Sequence, residues 1–94
     1  MKIKRKFIKY ENRKLHEIGD RSPYVGMDEL LAIVASGVAI EVTDDATGKD
    51  ITGLVLARLV YDRCRMDSRA YPVHKLQNLI MSNPPPKTED EALR

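Results

Sequence analysis

Apolar positions along this chain change their period several times, and each period predicts an element. From Ile3 to Tyr10 and from Arg13 to Ile18, β-forming residues are mixed with charges, and Glu11-Asn12 between them suits a tight turn, because asparagine tolerates positive φ. The pattern predicts a β-hairpin. A two-residue turn sets Tyr10 opposite Arg13, Ile8 opposite Leu15 and Phe7 opposite His16, which brings Lys9 and Lys14 together on the Phe7 face. A slip of one residue would exchange the two faces.

Arg21-Ser22-Pro23 interrupts the pattern, and Tyr24-Val25 is a short extended piece. Met27, Leu30, Leu31 and Val34 then recur at i, i+3, i+4 and i+7, the spacing of a helix with one apolar face. Asp28 and Glu29 favour its first turn, and Gly37 is placed to stop it in the left-handed conformation. Val38, Ile40 and Val42 alternate with Ala39, Glu41 and Thr43 as in a half-buried strand, and residues 44–49 form a turn. The expected partner is a second hairpin or short strand pair.

Thr52 offers an N-cap hydroxyl to a second helix running to about Cys64. That helix is apolar nearly all round, with few polar positions before Asp62, so it is either central or shared between subunits. In so short a chain the expectation is a subunit interface through Val55, Leu56, Leu59 and Val60. Pro72 suits the first position of a third helix, where its missing N–H costs nothing, and Val73, Leu76, Leu79 and Ile80 give that helix an apolar stripe. Asn83-Pro84-Pro85-Pro86 stops it, and the remainder reads as a polar, disordered tail. The expected organisation is thus one α+β domain over residues 1–82, with a basic N-terminal β-hairpin, a further short strand pair and three helices, followed by a tail over 83–94.

Composition narrows the class. Ninety-four residues make a small domain that is marginal alone, and with only four Tyr, one Phe and no Trp its core has to be aliphatic. Self-association is the economical remedy. A single cysteine, Cys64, excludes an internal disulfide and fits a reducing cytosol. No apolar run approaches the roughly 20 residues of a membrane span, so a cytoplasmic, nucleoid-associated protein is expected.

Charge is distributed unevenly. Residues 1–25 hold eight basic and three acidic residues, so +5, whereas residues 26–94 hold eight and eleven, so −3. Such asymmetry points to contact with nucleic acid or another anionic surface at the basic end. The same lysines would also serve as a solvated edge that discourages aggregation.

Catalysis needs convergent groups, and none is recognisable. His16, His74 and Cys64 are too scattered for a metal motif, and Cys64 is most simply a small apolar residue at a helix end. Gly48-Lys49 resembles the end of a phosphate-binding loop, but no glycine precedes it at the required spacing and Asp50 replaces the serine or threonine. Asp44, Asp45 and Asp50 are turn and cap residues by type. No enzyme activity and no cofactor are expected. What remains is the basic hairpin: a two-stranded ribbon fits the major groove of B-DNA, where Arg and Lys donate to guanine, Asn pairs with adenine and neighbouring lysines bind phosphates. Arg5, Lys9, Asn12, Arg13 and Lys14 are the right types for that contact, with Lys4 and Lys6 on phosphates.

Three blocks carry a resemblance: Tyr10-Glu11-Asn12-Arg13-Lys14-Leu15, then Tyr24-Val25-Gly26-Met27-Asp28-Glu29-Leu30, then Asp45-Ala46-Thr47-Gly48-Lys49-Asp50-Ile51-Thr52 with Val55-Leu56. In this order and spacing they resemble the N-terminal DNA-binding domain of the polyhydroxyalkanoate synthesis repressor family, and a weaker similarity extends through Pro72-Val73 and Leu76 to Ile80, so that residues 3–82 are covered. The resemblance implies a bacterial transcriptional regulator that binds double-stranded promoter DNA; better-known members also associate with polyester storage granules. Ile8 stands where the family usually has a basic residue, His16-Glu17-Ile18 replaces its usual Tyr-Asp-Thr, and Gly26 replaces a capping threonine. The resulting expectation is a DNA-binding repressor acting as a homodimer or higher homo-oligomer. Two other readings stand beside it: a protein-interaction or granule-associated module using the apolar second helix, and a regulator binding a small anionic ligand.

Overall fold

Residues 4–11, 14–19 and 24–84 are described by a computed structural model of the chain. Strands β1 (Lys4–Lys9), β2 (Leu15–Glu17) and β3 (Tyr24–Val25) precede helix α1 (Met27–Ala35), strand β4 (Ala39–Asp44), and helices α2 (Thr52–Met66) and α3 (Val73–Met81). The fold is α+β, and the strands form one sheet in the order β3-β2-β1-β4. β1 and β2 make the expected antiparallel hairpin.

Its register differs from the two-residue turn by one position. Phe7 pairs with Glu17, Ile8 with His16 and Lys9 with Leu15, and the Tyr10 N–H donates to the Lys14 carbonyl at 3.1 Å, so residues 11–13 make the connection. Burial explains the shift. With Ile8 opposite Leu15, Phe7 and Leu15 would lie on opposite faces and only one could reach the core; in the observed register both do, at 0% and 2% exposure. Each large apolar side chain fully buried is worth roughly 1.5–3 kcal/mol, more than a local turn preference.

β4 does not find its main partner in the residues that follow it. It lies parallel to β1, pairing Lys4 with Ala39 through Lys9 with Asp44, and the connection between them passes through β2, β3 and α1. The return expected after residues 44–49 shrinks to one antiparallel bridge between Thr43 and Asp50. Asp44 organises that turn, its carboxylate accepting from the Ala46 N–H and the Thr47 hydroxyl, both at 3.2 Å, while Gly48 supplies a positive φ of 71°.

The start of α2 also departs from expectation. The Thr52 hydroxyl accepts from the Val42 N–H at 2.8 Å, satisfying the outer edge of β4 instead of capping its own helix. Ile51 stands at the head of the helix, its carbonyl accepting from the Val55 N–H at 3.0 Å, and the Asp50 carboxylate just before it accepts from the Thr52 N–H at 2.8 Å and from its hydroxyl at 2.6 Å. Those two donors, and then the charge of Lys4, hold the Asp50 carboxyl below its ordinary range. Gly37 ends α1 as expected, with φ 96° and its N–H on the Val34 carbonyl at 3.0 Å.

The chain folds as two compact units, Met1–Tyr61 and Asp62–Arg94. In the first, Phe7, Leu15, Val25, Ile40 and Val42 project from one sheet face and meet Leu30 of α1 with Val55 and Leu59 of α2. Val55 and Leu59 are 6% and 4% exposed within a single chain and Leu56 packs against the same cluster, so these three expected interface residues contribute to the chain's own core, while Val60 is half-buried and stands outside that cluster. α2 is apolar nearly all round because one side is buried while Leu54 and Tyr61 project outward. In the second unit, Pro72 stands one position earlier than expected, as the N-cap of α3, and no residue of that helix is buried. The tail beyond residue 84 lies outside the described residues.

Two expectations follow from this packing. Leu59→Ala should lower unfolding free energy by about 2–5 kcal/mol in a denaturant titration, the range for truncating a buried leucine; a change below about 1 kcal/mol would place Leu59 outside the core. The second concerns acid. Arg5 donates two hydrogen bonds to Glu17 and adds its charge, so the Glu17 carboxyl is held below its ordinary 4.5 in the folded chain. A depressed folded-state value makes this contribution complete above the unfolded value and removes it as pH falls through the folded one. Stability should therefore decline as pH drops below about 4.5, and Glu17→Gln should reduce stability at neutral pH and flatten that decline. Parallel acid slopes for the two proteins would exclude the Arg5–Glu17 pair as a cause.

Candidate nucleic-acid interface

The register that buries Phe7 and Leu15 divides the basic residues between two faces. Paired residues share a face and alternate along each strand, so Arg5, Phe7, Lys9, Leu15, Glu17, Val25, Ile40, Val42 and Asp44 lie on the side carrying the core. Lys4, Lys6, Ile8, Tyr10, Lys14, His16, Tyr24, Glu41 and Thr43 lie on the opposite side. Lys9 and Lys14 are thereby separated, against the two-residue-turn expectation.

Arg5 sits at the margin of the core side and is committed to Glu17. Its Nε donates to Oε2 at 2.6 Å and its Nη2 to Oε1 at 2.5 Å, a two-point pairing that ties β1 to β2. Its guanidinium also lies 6.0 Å from the Phe7 ring centroid. Arg5 thus has a structural task inside the domain. Asn12 and Arg13 lie outside the described residues.

The opposite face is polar at one end and aromatic at the other. At the first end, Lys4 and Lys6 flank Glu41, with Nζ to carboxylate distances of 4.0 and 3.8 Å. Both lysine side chains are more than half exposed, so this arrangement is screened and weak, and it leaves the ammonium groups at the surface. Toward the hairpin tip, the Tyr10 ring meets His16 edge-on with centroids 5.6 Å apart, and His16 stacks on Tyr24 at 4.4 Å and 30°. The Lys14 ammonium lies 4.9 Å from the Tyr24 centroid, inside cation–π range. Three lysines against one glutamate give this face a net positive charge.

The ring series of Tyr10, His16 and Tyr24 is the feature that sequence reading missed. Its signal was the alternation along β1 and β2, legible once Phe7 and Leu15 are required to share a face. Beyond the basic hairpin, the described residues contain no group of three or more His, Cys, Asp or Glu placed to hold a metal ion, and no helix among them is long and apolar enough to cross a membrane. Cys64 is half-buried in α2.

No curated protein and no solved structure gives a significant match to the chain. A family model does match, described as the PHB/PHA accumulation regulator DNA-binding domain, over residues 3–67. This span takes in all four strands, α1 and α2; it ends before Pro72, so the weaker similarity read through Ile80 falls outside it. The aligned segment contains the basic hairpin and the Asp44–Thr52 turn that seats α2 against β4, and the chain belongs to the PHB/PHA accumulation regulator DNA-binding family.

Proposed function

We propose that this DNA-binding regulator domain contacts duplex DNA through its N-terminal hairpin and acts as a homodimer. The observation that carries the reading is the coincidence of the +5 segment of residues 1–25 with the hairpin inside the matched DNA-binding domain. The pairing of β1 with β4 ends at Lys9–Asp44 and that of β2 with β3 at Leu15–Val25, so the described ends of the hairpin strands, Tyr10 and Lys14, lie beyond both ladders. A two-stranded projection is narrow enough for the major groove.

In this reading Asn12 and Arg13 at the tip read base edges, Lys14 and Lys9 flank them, and Lys4 and Lys6 neutralise phosphates along the strand. Arg5 fixes the hairpin through Glu17. The second copy is met through the exposed apolar side chains of α3, since Val55 and Leu59 are already used: Val73 and Leu79 are both 69% exposed and Ile80 is 62% exposed. Joining two tips gains affinity because the second half-site is bound at high effective concentration.

The reading is tested by titrating labelled promoter fragments over a series of salt concentrations. With about 6–10 phosphate contacts in a dimer, affinity should fall by roughly three to five decades between 50 and 200 mM salt. Arg13→Ala and Asn12→Ala should reduce discrimination between specific and random DNA, Arg13→Ala by about 1–3 kcal/mol, whereas Lys4→Ala and Lys6→Ala should weaken both DNAs equally. No binding at low salt overturns the proposal, equal loss for all four variants assigns base reading elsewhere, and a monomer in light scattering removes the dimer.

A further inference from the structure

We infer that the open face of the sheet is a second nucleic-acid surface, one that stacks the bases of an unpaired strand. The inference rests on the reading that the basic sheet meets nucleic acid, and it adds the form of nucleic acid that the flat face accepts. A two-stranded ribbon and a flat four-stranded face differ in width. Three strand spacings of about 4.8 Å put the outer strands of a four-stranded sheet roughly 14 Å apart, whereas the major groove is about 12 Å wide, so the sheet cannot enter it lying flat. Only the tip can.

The flat face also carries the wrong chemistry for duplex DNA. Its centre is Ile8 with the series Tyr10, His16 and Tyr24, and Tyr24 is 57% exposed. Inside a duplex the ring faces of the bases are hidden in their own stack and the groove edges are polar. An unpaired strand presents ring faces and phosphates together, and it is bound where aromatic side chains stand beside cations. Here Lys4 and Lys6 stand at one end of the face and Lys14 at the other.

Lys14 lies over the Tyr24 ring, the position a base would take. An exposed cation–π contact is weaker than a base–aromatic stack, so a base can replace the ammonium on the ring while the lysine stays beside the strand's phosphates. The strand would then run across β1, β2 and β3, with one base at the ring series and its neighbours reaching the lysines.

The experiment uses the whole 94-residue chain, fluorescein-labelled oligo(dT) and oligo(U) of twelve nucleotides, and a mixed-sequence duplex of the same length, at one salt concentration. Single-strand binding is expected, weakened about five-fold or more by Tyr24→Ala, with duplex affinity changed less than two-fold. Tyr24→Phe should retain single-strand affinity. Because the chain has no tryptophan, stacking should also appear as quenching of tyrosine emission, with a smaller amplitude in Tyr24→Phe. Circular dichroism checks that the variants fold, and light scattering gives their mass. Duplex binding without single-strand binding overturns this inference and leaves the hairpin reading intact. An equal loss for duplex and single strand in Tyr24→Ala overturns it by making the face part of the duplex contact, and a change of mass in that variant overturns it by making the face a protein interface. Failure of duplex binding alone removes the hairpin reading and leaves the flat face standing.

Discussion

Phe7 and Leu15 have to reach the same core, and that requirement fixes the rest of the N-terminal sheet. They sit on successive strands of one hairpin, so only registers that pair Phe7 with an odd-numbered residue place both on one side. The observed pairing with Glu17 does so, at the cost of a three-residue connection where the local residues favour two. Losing either side chain from the core would cost roughly 1.5–3 kcal/mol, while turn types of similar length differ by less. Non-local burial therefore overrides local turn chemistry here.

The partition of charge follows from the same choice. Once Phe7 faces the helices, Arg5 and Lys9 must lie on its side of β1, and Lys4 and Lys6 on the other. A guanidinium at the margin of an apolar layer is costly unless its donors are satisfied, and Glu17, directly opposite Phe7 and diagonal to Arg5, satisfies two of them. One basic residue in the hairpin is thereby converted from a ligand-facing charge into a clasp between strands. The open side inherits every second residue, which gathers Tyr10, His16 and Tyr24 from three segments into one series.

Elements whose signal is local were legible before the structure. The i, i+3, i+4, i+7 spacing located α1, Gly37 marked its end, and alternation from Val38 to Thr43 located β4, because each depends on residues within one or two turns or pleats. What was not legible required partners distant in sequence. The parallel pairing of β4 with β1 joins residues more than thirty positions apart and leaves no mark in either strand's own alternation. Thr52 looks like a helix cap by type, yet its hydroxyl is drawn to the unpaired Val42 N–H at the sheet edge, and the carboxylate of Asp50, two residues earlier, accepts from the Thr52 N–H. The apolar character of α2 was visible, but an all-round apolar helix is equally consistent with a core and with an interface; that Val55 and Leu59 are buried against the sheet appears only in the fold.

α3 stands in a different energetic position from the other helices. It has nine residues, fewer than the roughly 12–15 at which an isolated helix becomes even marginally stable in water, and none of them is buried. The Pro72 carbonyl accepts from the Lys75 and Leu76 N–H groups at 3.1 and 3.3 Å, and the Ser82 hydroxyl donates to the Leu79 carbonyl at 2.7 Å. These contacts finish its ends without burying apolar area. Its exposed Val73, Leu79, Ile80 and Met81 are large aliphatic or thioether side chains, the kind that stabilise a helix only when water is removed from them. Covering those side chains would stabilise α3 further. α2, by contrast, already has its Val55 and Leu59 side in the core of the first unit, so its length and its burial support each other.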